Sequence, residues 1–153
     1  SIYSIYKDHE GGIWIGTMFG GVNYLPNRIL TFDKYVPGSD SHSLNTKRIR
    51  GLAEDNNGCI WIGTEDNGVN VLDPRTGKVH QIHDNVPGRL ITLSVKHYEN
   101  HIYVGLFKQG MNDISIPGEH LKYISDKELN IEEGSVYSFL KDSKGRTWIG
   151  PGW

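Results

Sequence analysis

Three aspartates in the sequence stand at the same distance from a glycine and a tryptophan. The glycine follows three residues after the aspartate and the tryptophan six residues after it, as in Asp55, Gly58 and Trp61. The other copies are Asp8, Gly11 and Trp14, and Asp142, Gly145 and Trp148. Such a carboxylate could bind calcium or act as a catalytic acid, but a calcium loop needs oxygen ligands at alternating positions. Residues 55–57 instead run almost directly into an apolar segment, so we predict that these aspartates cap tight turns in which the glycine supplies a positive φ.

The tryptophans raise a second possibility, that of a platform on which sugar rings stack. A fourth copy of the pattern has Tyr103 at the tryptophan position, with His97 in place of the aspartate and Asn100 in place of the glycine. Asn is the best replacement for glycine in a left-handed turn, so Asn100 is predicted to take that conformation. Because an aromatic ring recurs at the same place in every copy, we predict that these rings fill the space between neighbouring sheets instead. The rings are those of Trp14, Trp61, Tyr103 and Trp148.

Seven histidines raise the question of a metal site. His80 and His83 are three residues apart on an expected strand, where their side chains would point to opposite faces. His97 and His101 would share a face only if the turn between them permits it. The sequence also lacks a Gly-x-Ser-x-Gly motif, a phosphate-binding loop, a dinucleotide fingerprint and a His-Glu-x-x-His motif. We therefore expect no metal, no cofactor and no catalytic residue in this chain.

The elements that position these residues follow from a longer repeat. Glycines at positions 16, 63, 105 and 150 are separated by 47, 42 and 45 residues, which is the spacing of four-stranded blades in a β-propeller. Between them lie short β-rich segments divided by Gly, Pro, Asn and Asp, and no segment of helical length has a 3.6-residue period. In the second repeat we predict strands at residues 49–54, 59–64, 69–72 and 78–83.

The predicted fold is therefore all-β: a β-propeller fragment of about three and a half four-stranded antiparallel blades. The blades are expected at residues 1–36, 45–84, 90–125 and 135–153, the last of them truncated. The sequence has no initiator Met and ends within a repeat. We therefore expect a piece of a larger protein, whose exposed blade faces are covered by the remaining blades of the parent propeller or by a second copy.

Composition narrows the range of partners. The net charge of -2 gives no general attraction for polyanions, so no nucleic-acid partner is expected. No apolar run approaches the roughly 18 residues of a transmembrane helix, so this segment is not expected to contact a membrane. The one cysteine, Cys59, cannot form a disulfide within the chain and leaves the redox compartment open.

The motif Asp-x-x-Gly-x-Ile-Trp-Ile-Gly-Thr resembles the two-component regulator propeller repeat. It is followed by Gly-Gly-Val-Asn-Tyr at residues 20–24 and by Asn-Gly-Val-Asn-Val at residues 67–71. The Gly-His and Trp-Asp pairs of WD repeats are absent, as is the kelch arrangement of paired glycines. The resemblance implies the extracytoplasmic sensor region of a hybrid two-component system, of a kind common in gut bacteria that degrade polysaccharides. It also implies a seven-bladed ring, of about 315 residues at about 45 residues per blade. A periplasmic location and a parent histidine kinase anchored in the inner membrane are implied as well.

In a propeller, the loops that lead into the first strands and those that join second to third strands lie on one face, where function is expected. Here these loops differ most between the repeats, and they carry aromatic, amide and charged groups. This combination suits an oligosaccharide or another small-molecule ligand. The candidate ligand-binding residues are Phe19, Asn45, Arg48, Arg50, Glu65, Asn67, Phe107, Lys108 and Tyr137. Together with the resemblance, they predict a sensor module that responds to an oligosaccharide.

Two other functions stay open at this point. One is a metal-dependent enzyme on a propeller scaffold, similar to the streptogramin-inactivating lyases, in which His42 or Glu65 would take part. The other is a scaffold for protein interaction or dimerisation, which would bury a flat apolar patch against a partner. A bound metal would favour the first function, and saturation by a small molecule would count against the second.

Overall fold

The computed structural model describes residues 2–27, 34–39, 42–82, 90–116 and 120–152. The chain divides into two compact units, Ser1–Lys34 and Tyr35–Trp153. Residues 28–33 of the first predicted blade and His83, the predicted end of the last strand in the second, lie outside the described ranges.

The described residues of the first unit form one antiparallel sheet of three strands. In spatial order these are β1 (Ile2–Lys7), β2 (Ile13–Thr17) and β3 (Val22–Leu25). A hydrogen bond from the Thr17 N–H to the Gly21 carbonyl (3.0 Å) closes the connection between β2 and β3. The strands follow one another as a meander, as expected for a blade.

The second unit contains two four-stranded sheets and one two-stranded sheet, each with its strands in sequence order. The first sheet consists of β4 (Ile49–Glu54), β5 (Ile60–Thr64), β6 (Val69–Asp73) and β7 (Lys78–Ile82). The second consists of β8 (Thr92–Tyr98), β9 (His101–Leu106), β10 (Met111–Ser115) and β11 (His120–Ile124). The third pairs β12 (Val136–Lys141) with β13 (Thr147–Pro151). The all-β prediction is confirmed, and the described strand ends of the second repeat agree with the predicted ones to within one residue.

A single helical turn, α1 (Asp126–Leu129), lies between β11 and β12 and departs from the all-strand prediction. The Ser125 hydroxyl accepts a hydrogen bond from the Glu128 N–H (3.3 Å), and the Glu128 carboxylate accepts one from the Ser125 N–H (2.8 Å), which forms a capping box. Asn130, in the left-handed region at φ 52°, ends the turn. A helix of four residues is too short to show a helical period in the sequence.

Trp61 lies between the first two sheets of the second unit. The residue is 1% exposed and packs in one cluster with Val69 and Val71 of its own sheet and with Val95 and Ile102 of the next. Burial of a ring of this size removes roughly 150 Å² or more of surface from water. The predicted place of Trp61 between neighbouring sheets is confirmed.

Tyr103 has the corresponding place between the second and third sheets. Its ring centroid lies 5.7 Å from that of Phe139 on β12 and 6.1 Å from that of Tyr98 on β8. The Tyr98 hydroxyl also donates a hydrogen bond to the Phe139 carbonyl (3.0 Å), which links the two sheets directly. The prediction that Tyr103 packs between sheets is therefore confirmed as well.

Trp14 and Trp148 depart from this prediction, since they are 41% and 53% exposed. Trp14 packs on Tyr24 of the neighbouring strand, with ring centroids 4.4 Å apart, and the Arg146 guanidinium lies 5.3 Å from the Trp148 ring centroid. Within the described residues neither ring is buried between sheets, so the prediction is not confirmed for these two rings. The described residues of the first unit form a single sheet, and those of the second unit contain no sheet after β13.

The aspartate before each tryptophan closes a turn and also holds the indole ring. Asp55 Oδ1 accepts hydrogen bonds from the backbone N–H groups of Asn57 (2.8 Å) and Cys59 (3.0 Å). Asp55 Oδ2 accepts one from the Nε1–H of Trp61 (2.8 Å). Gly58, at φ 79°, makes the left-handed step of the turn. The predicted capping role is confirmed, and the indole bond adds a link from the turn to the core.

Asp8 and Asp142 make the same contacts nearer the surface, to Trp14 (2.8 Å) and Trp148 (2.9 Å). The hydrogen bond from Trp148, with further bonds from Arg146, lowers the pKa of Asp142 from 3.8 to about 2. The bond from Trp14 likewise lowers the pKa of Asp8. Because the folded-state pKa is depressed, the Asp142 carboxylate stabilises the folded chain above pH 3.8, and this stabilisation is lost as the pH falls through about 2.

The altered copy, which has His97 in place of the aspartate, turns differently from the other three. Strands β8 and β9 pair as far as Tyr98 and His101, so the turn consists of Glu99 and Asn100. Glu99 is left-handed at φ 58°, and Asn100 is not among the described residues with positive φ. The prediction for Asn100 is wrong because the turn without the aspartate is shorter and makes its left-handed step one residue earlier. In place of the aspartate contacts, His97 Nε2 lies 2.7 Å from the Glu99 carbonyl oxygen.

Replacement of Trp61 by alanine should lower the free energy of unfolding by about 3–5 kcal/mol, because it opens a cavity between two sheets. It also removes the indole N–H that donates a hydrogen bond to Asp55. The matched substitution Trp148→Ala removes a half-exposed ring and should cost clearly less. Urea unfolding, followed by the fluorescence of the remaining tryptophans, measures both losses. Equal losses would show that Trp61 does not carry the packing between the sheets.

The lowered pKa of Asp142 predicts a pH-dependent stability difference between the wild-type chain and Asp142→Asn. The wild-type chain should be the more stable above pH 3.8, and the difference should shrink as the pH falls through about 2, where the folded carboxylate takes up its proton. Thermal unfolding across this range measures the difference, and carboxyl NMR gives the pKa of Asp142 directly. A titration midpoint at the ordinary value would contradict the effect of the indole bond.

Candidate functional site

The first strand of every sheet contains one residue that has no partner in the neighbouring strand. In β4 the pairing with β5 passes from Ile49 to Gly51 and leaves out Arg50. The same step occurs in β1, β8 and β12. The four bulge residues are Tyr3 in β1, Arg50 in β4, Leu93 in β8 and Tyr137 in β12. A β-bulge re-aims a side chain out of the regular alternation of its strand, so these are positions at which a ligand could be met.

A small residue follows each bulge residue and pairs with the recurring glycine of the repeat. In β4 this small residue is Gly51, opposite Gly63 on β5. A Cβ atom on Gly63 would lie 2.5 Å from side-chain atoms of both Thr92 and Val95 in the next sheet. The recurring glycine is therefore required where the following sheet approaches, and the bulges lie beside these contacts.

Backbone hydrogen bonds hold the bulges of β4, β8 and β12 on both sides. Before the Arg50 bulge, the Glu65 N–H donates to the Arg48 carbonyl (3.0 Å), and after it the ladder continues through Gly51. The corresponding bonds run from the Phe107 N–H to the Ile91 carbonyl (2.9 Å) and from the Gly152 N–H to the Ser135 carbonyl (3.2 Å). The Cα atom of a bulge residue therefore has a fixed position in the sheet.

In the first two sheets of the second unit, the loop that joins the second strand to the third is hydrogen-bonded to the segment that leads into the next sheet. These bonds run from the Gly68 N–H to the Leu90 carbonyl (3.3 Å) and from the Gly110 N–H to the Gly134 carbonyl (2.6 Å). The Lys108 N–H also donates to the Ser135 hydroxyl (3.1 Å). Loops and bulges therefore share one side of the second unit, called the bulge side below, and its backbone is organised before a ligand binds.

Arg50 and Glu65, two of the candidate ligand-binding residues, form an ion pair on the bulge side. Arg50 Nη2 lies 3.3 Å from Glu65 Oε2, and the two side chains are 50% and 34% exposed. Arg48, a third candidate, is exposed two residues before Arg50. The structure therefore brings these three predicted residues together at the start of β4.

Asn45 and Asn67 use their side chains to join two segments of the chain. Asn45 Nδ2 donates to the Asn67 carbonyl (2.8 Å), and Asn67 Nδ2 donates to the Asn45 carbonyl (3.4 Å). Asn70, which is fully buried, donates from Nδ2 to Asn45 Oδ1 (2.9 Å). The three amides tie the segment before β4 to the loop between β5 and β6, so they position the loop that carries Glu65.

The remaining candidates present aromatic rings and a cation. In the loop between β9 and β10, Lys108 Nζ lies 5.3 Å from the centroid of the Phe107 ring. Tyr137, the bulge residue of β12, is 50% exposed and lies against Gly152. Phe19, 91% exposed, lies in the loop between β2 and β3 of the first unit. The bulge side of the second unit therefore combines Phe107, Lys108 and Tyr137 with the charges at β4.

Two bulge residues, Tyr3 and Leu93, are missing from the candidates named from the sequence. Tyr3 is exposed and Leu93 is half-buried. Their signal is nevertheless present, because each repeat has a variable residue, then Ser or Gly, then an apolar residue in its first strand. The four occurrences are Tyr3-Ser4-Ile5, Arg50-Gly51-Leu52, Leu93-Ser94-Val95 and Tyr137-Ser138-Phe139.

The segment that contains α1 adds a shallow cavity of about 340 Å³. Its lining residues are Asp126, Lys127, Asn130, Ile131 and Glu132. A Cβ atom on Gly134 would lie 2.8 Å from Asp126 Cβ and 3.1 Å from the carbonyl carbon of Lys108. The cavity therefore adjoins the loop that carries Lys108, and no pattern in the sequence predicted it.

The turns at the other end of the strands form a separate network. Glu99 Oε2 lies 2.8 Å from Lys141 Nζ, and the Glu99 carbonyl accepts a hydrogen bond from Asn56 Nδ2 (2.8 Å). The hydrogen bond between Glu99 and Lys141 lowers the pKa of the former and raises the pKa of the latter. His101 Nδ1 lies 2.7 Å from Asp113 Oδ1. Within the described ranges, no three His, Cys, Asp or Glu side chains are grouped as metal ligands would be.

Antiparallel four-stranded sheets that pack on one another through Trp61 and Tyr103 define a β-propeller. The family model described as two component regulator propeller matches residues 1–19 and 43–66, in agreement with the resemblance seen in the sequence. No curated protein sequence matches the chain. In the part of the chain that the structure describes, no helix has the length and apolar composition needed to cross a membrane.

Solved structures share the fold. The extracellular domain of a hybrid two component system from B. thetaiotaomicron matches with a TM-score of 0.64 and 24% identity, over 98% of this chain and 21% of that one. The extracellular domain of a one component system from the same organism gives a TM-score of 0.57 and 20% identity, over 99% and 20% of the two chains. PorZ, a surface component of the type-IX secretion system of Porphyromonas gingivalis, gives 0.61 and 16%, over 99% and 25%. These likenesses establish the propeller fold, and the chain spans about a fifth to a quarter of the length of these proteins.

The substitution Asn45→Ala should lower the free energy of unfolding by about 1–3 kcal/mol, because it leaves the buried Asn70 amide without its acceptor. Asn27→Ala is the control. Asn27 is exposed and donates one hydrogen bond, to the Glu10 carbonyl (3.2 Å), so its loss should cost less than about 0.5 kcal/mol. Chemical unfolding measures both variants, and a loss for Asn45→Ala no greater than that of the control would contradict the role of the amide network.

Proposed function

We propose that this chain is part of the ligand-sensing propeller of a hybrid two-component signalling protein, and that its bulge side binds an oligosaccharide. The repeats of the two component regulator propeller family support the sensor assignment, as do the extracellular two-component domains that share the fold. In this proposal the segment lies in the periplasm. Catalysis belongs to a histidine kinase elsewhere in the parent protein, and this segment contributes ligand binding.

The observation that carries the proposal is the set of bulge and loop residues on one organised side of the second unit. Tyr137 and Phe107 offer flat apolar rings for the faces of sugars, while Arg50 and Lys108 offer donors for hydroxyl or acidic groups. The backbone bonds around them reduce the ordering that binding requires, which favours affinity. A polar ligand with apolar faces fits this combination, and an oligosaccharide is such a ligand.

We propose further that the remaining blades of a longer propeller, or a second copy of the chain, cover the third sheet. Leu140 and Trp148 pair with each other across β12 and β13 and are 61% and 53% exposed. Trp61 occupies the equivalent position in the first sheet and is buried by the sheet that follows. A further sheet would remove the apolar surface of Leu140 and Trp148 from water in the same way.

A thermal-shift screen of the chain against neutral and acidic oligosaccharides tests the proposal. A sugar that binds only the folded chain should raise its stability by RT ln(1 + [L]/Kd), about 2.7 kcal/mol at 100 times Kd. Tyr137→Ala should then weaken binding about 3- to 10-fold, because it removes the ring on which a sugar packs. Leu140→Ala, a half-exposed apolar residue of the same strand, should leave binding unchanged. A screen in which no oligosaccharide raises the unfolding temperature would refute the proposed ligand class.

A further inference from the structure

We propose that Arg50 recognises a carboxylate on one sugar of the ligand, and that Glu65 is an internal competitor for the Arg50 guanidinium. The inference rests on the proposed function and makes it more specific, because it names the class of oligosaccharide that the bulge side takes: one that contains a uronic acid. It also predicts that changes at Arg50 and at Glu65 alter affinity in opposite directions.

Arg50 is the charged member of the bulge residues, since Tyr3, Leu93 and Tyr137 are neutral. Backbone pairing on both sides of the bulge fixes the position of its Cα atom. Its side chain is half exposed, so a ligand can reach it. A planar guanidinium on a fixed backbone matches the two oxygens of a carboxylate, which can accept two parallel hydrogen bonds from it.

The ion pair between Arg50 and Glu65 is of a kind that a ligand can replace. A distance of 3.3 Å joins Arg50 Nη2 to Glu65 Oε2, and both side chains contact solvent. Strong Arg–carboxylate pairs are bidentate, with shorter distances of about 2.7–2.9 Å. Exposed pairs without that geometry contribute little. A ligand carboxylate that accepts two hydrogen bonds from Arg50 would therefore displace Glu65 at small cost.

Two more cations lie in segments of the bulge side. Arg48, two residues before Arg50, and Lys108, in the loop between β9 and β10, are both exposed. The loop between β5 and β6 supplies two acids, Glu65 and Asp66, and the segment beside the Lys108 loop supplies Asp126 and Glu132. Neutralising Glu65 would remove the acid that pairs with Arg50 and release the guanidinium at the same time.

Isothermal titration calorimetry on the chain compares a trimer of galacturonic acid with the neutral trimer of galactose. Arg50→Gln should weaken binding of the acidic trimer about tenfold or more, because charge-assisted hydrogen bonds are lost. Arg50→Lys keeps the charge but loses the planar pair of donors, so its affinity should lie between the two. Glu65→Gln should strengthen binding of the acidic trimer about two- to fivefold, because it frees Arg50. Both substitutions at Arg50 should weaken the binding of the neutral trimer much less than that of the acidic trimer, because the neutral trimer has no carboxylate to pair with the guanidinium.

Arg75→Gln is the matched control. Arg75 Nε pairs with Asp73 Oδ1 (3.1 Å) in the turn between β6 and β7, at the other end of the same sheet, and its side chain is also exposed. The control should leave the affinity for the acidic trimer unchanged. A tetraglutamate peptide serves as a second control, since its carboxylates are not carried by sugars and it should bind more weakly than the acidic trimer.

The outcomes separate this inference from the proposed function. Binding of the acidic trimer that Arg50→Gln and Glu65→Gln leave unchanged would overturn the inference and leave oligosaccharide sensing intact. Binding of the neutral trimer alone, or equal binding of the peptide, would overturn it too. Failure of every oligosaccharide in the wider thermal-shift screen would overturn both proposals. Unchanged unfolding midpoints of the variants would show that altered affinity does not come from misfolding.

Discussion

The burial of one sheet's tryptophan against the next sheet is the contact on which the second unit depends. Trp61 loses nearly all contact with water, and a buried indole N–H needs an acceptor. Asp55 provides it, with the same carboxylate that closes the turn before the strand. Gly63 lies two residues after Trp61 in the same strand. Because it has no side chain, Thr92 and Val95 of the following sheet can pack against it. A single turn and strand therefore supply the connection within a sheet and the packing between sheets.

The same close approach shapes the bulge side. A Cβ atom on Gly105 would overlap the Val136 carbonyl of the third sheet, so no larger residue fits there. Its partner across the ladder is Ser94, and the residue before Ser94 leaves the ladder as a bulge. The paired positions hold only Gly and Ser, whereas the bulge position holds side chains as different as Arg, Leu and Tyr. Packing between sheets restricts the paired positions to small residues, whereas the bulge positions are not restricted and can contact a ligand.

Part of the candidate site follows from the sequence. Arg50 and Tyr137 are found there because the loops and first strands of a propeller are expected to share one face. Their exposure, however, comes from a bulge, and a bulge depends on the register between two strands. Asn45 and Asn67 are also named from the sequence, yet the structure joins them through Asn70, 25 residues away from Asn45. A contact over that distance has no local pattern.

By itself, the sequence determined the repeat, the strands of its clearest copy and the turn that joins aspartate, glycine and tryptophan, because all of these depend on residues close together in the chain. Only the tertiary structure decided which rings are buried. Trp61 and Trp148 stand in nearly the same local sequence, and a following sheet covers only Trp61 within the described chain. The tertiary structure also determines the register of each bulge, the amide network and the pairing of Arg50 with Glu65. They require neighbours that are distant in the chain, and only folding brings those neighbours together.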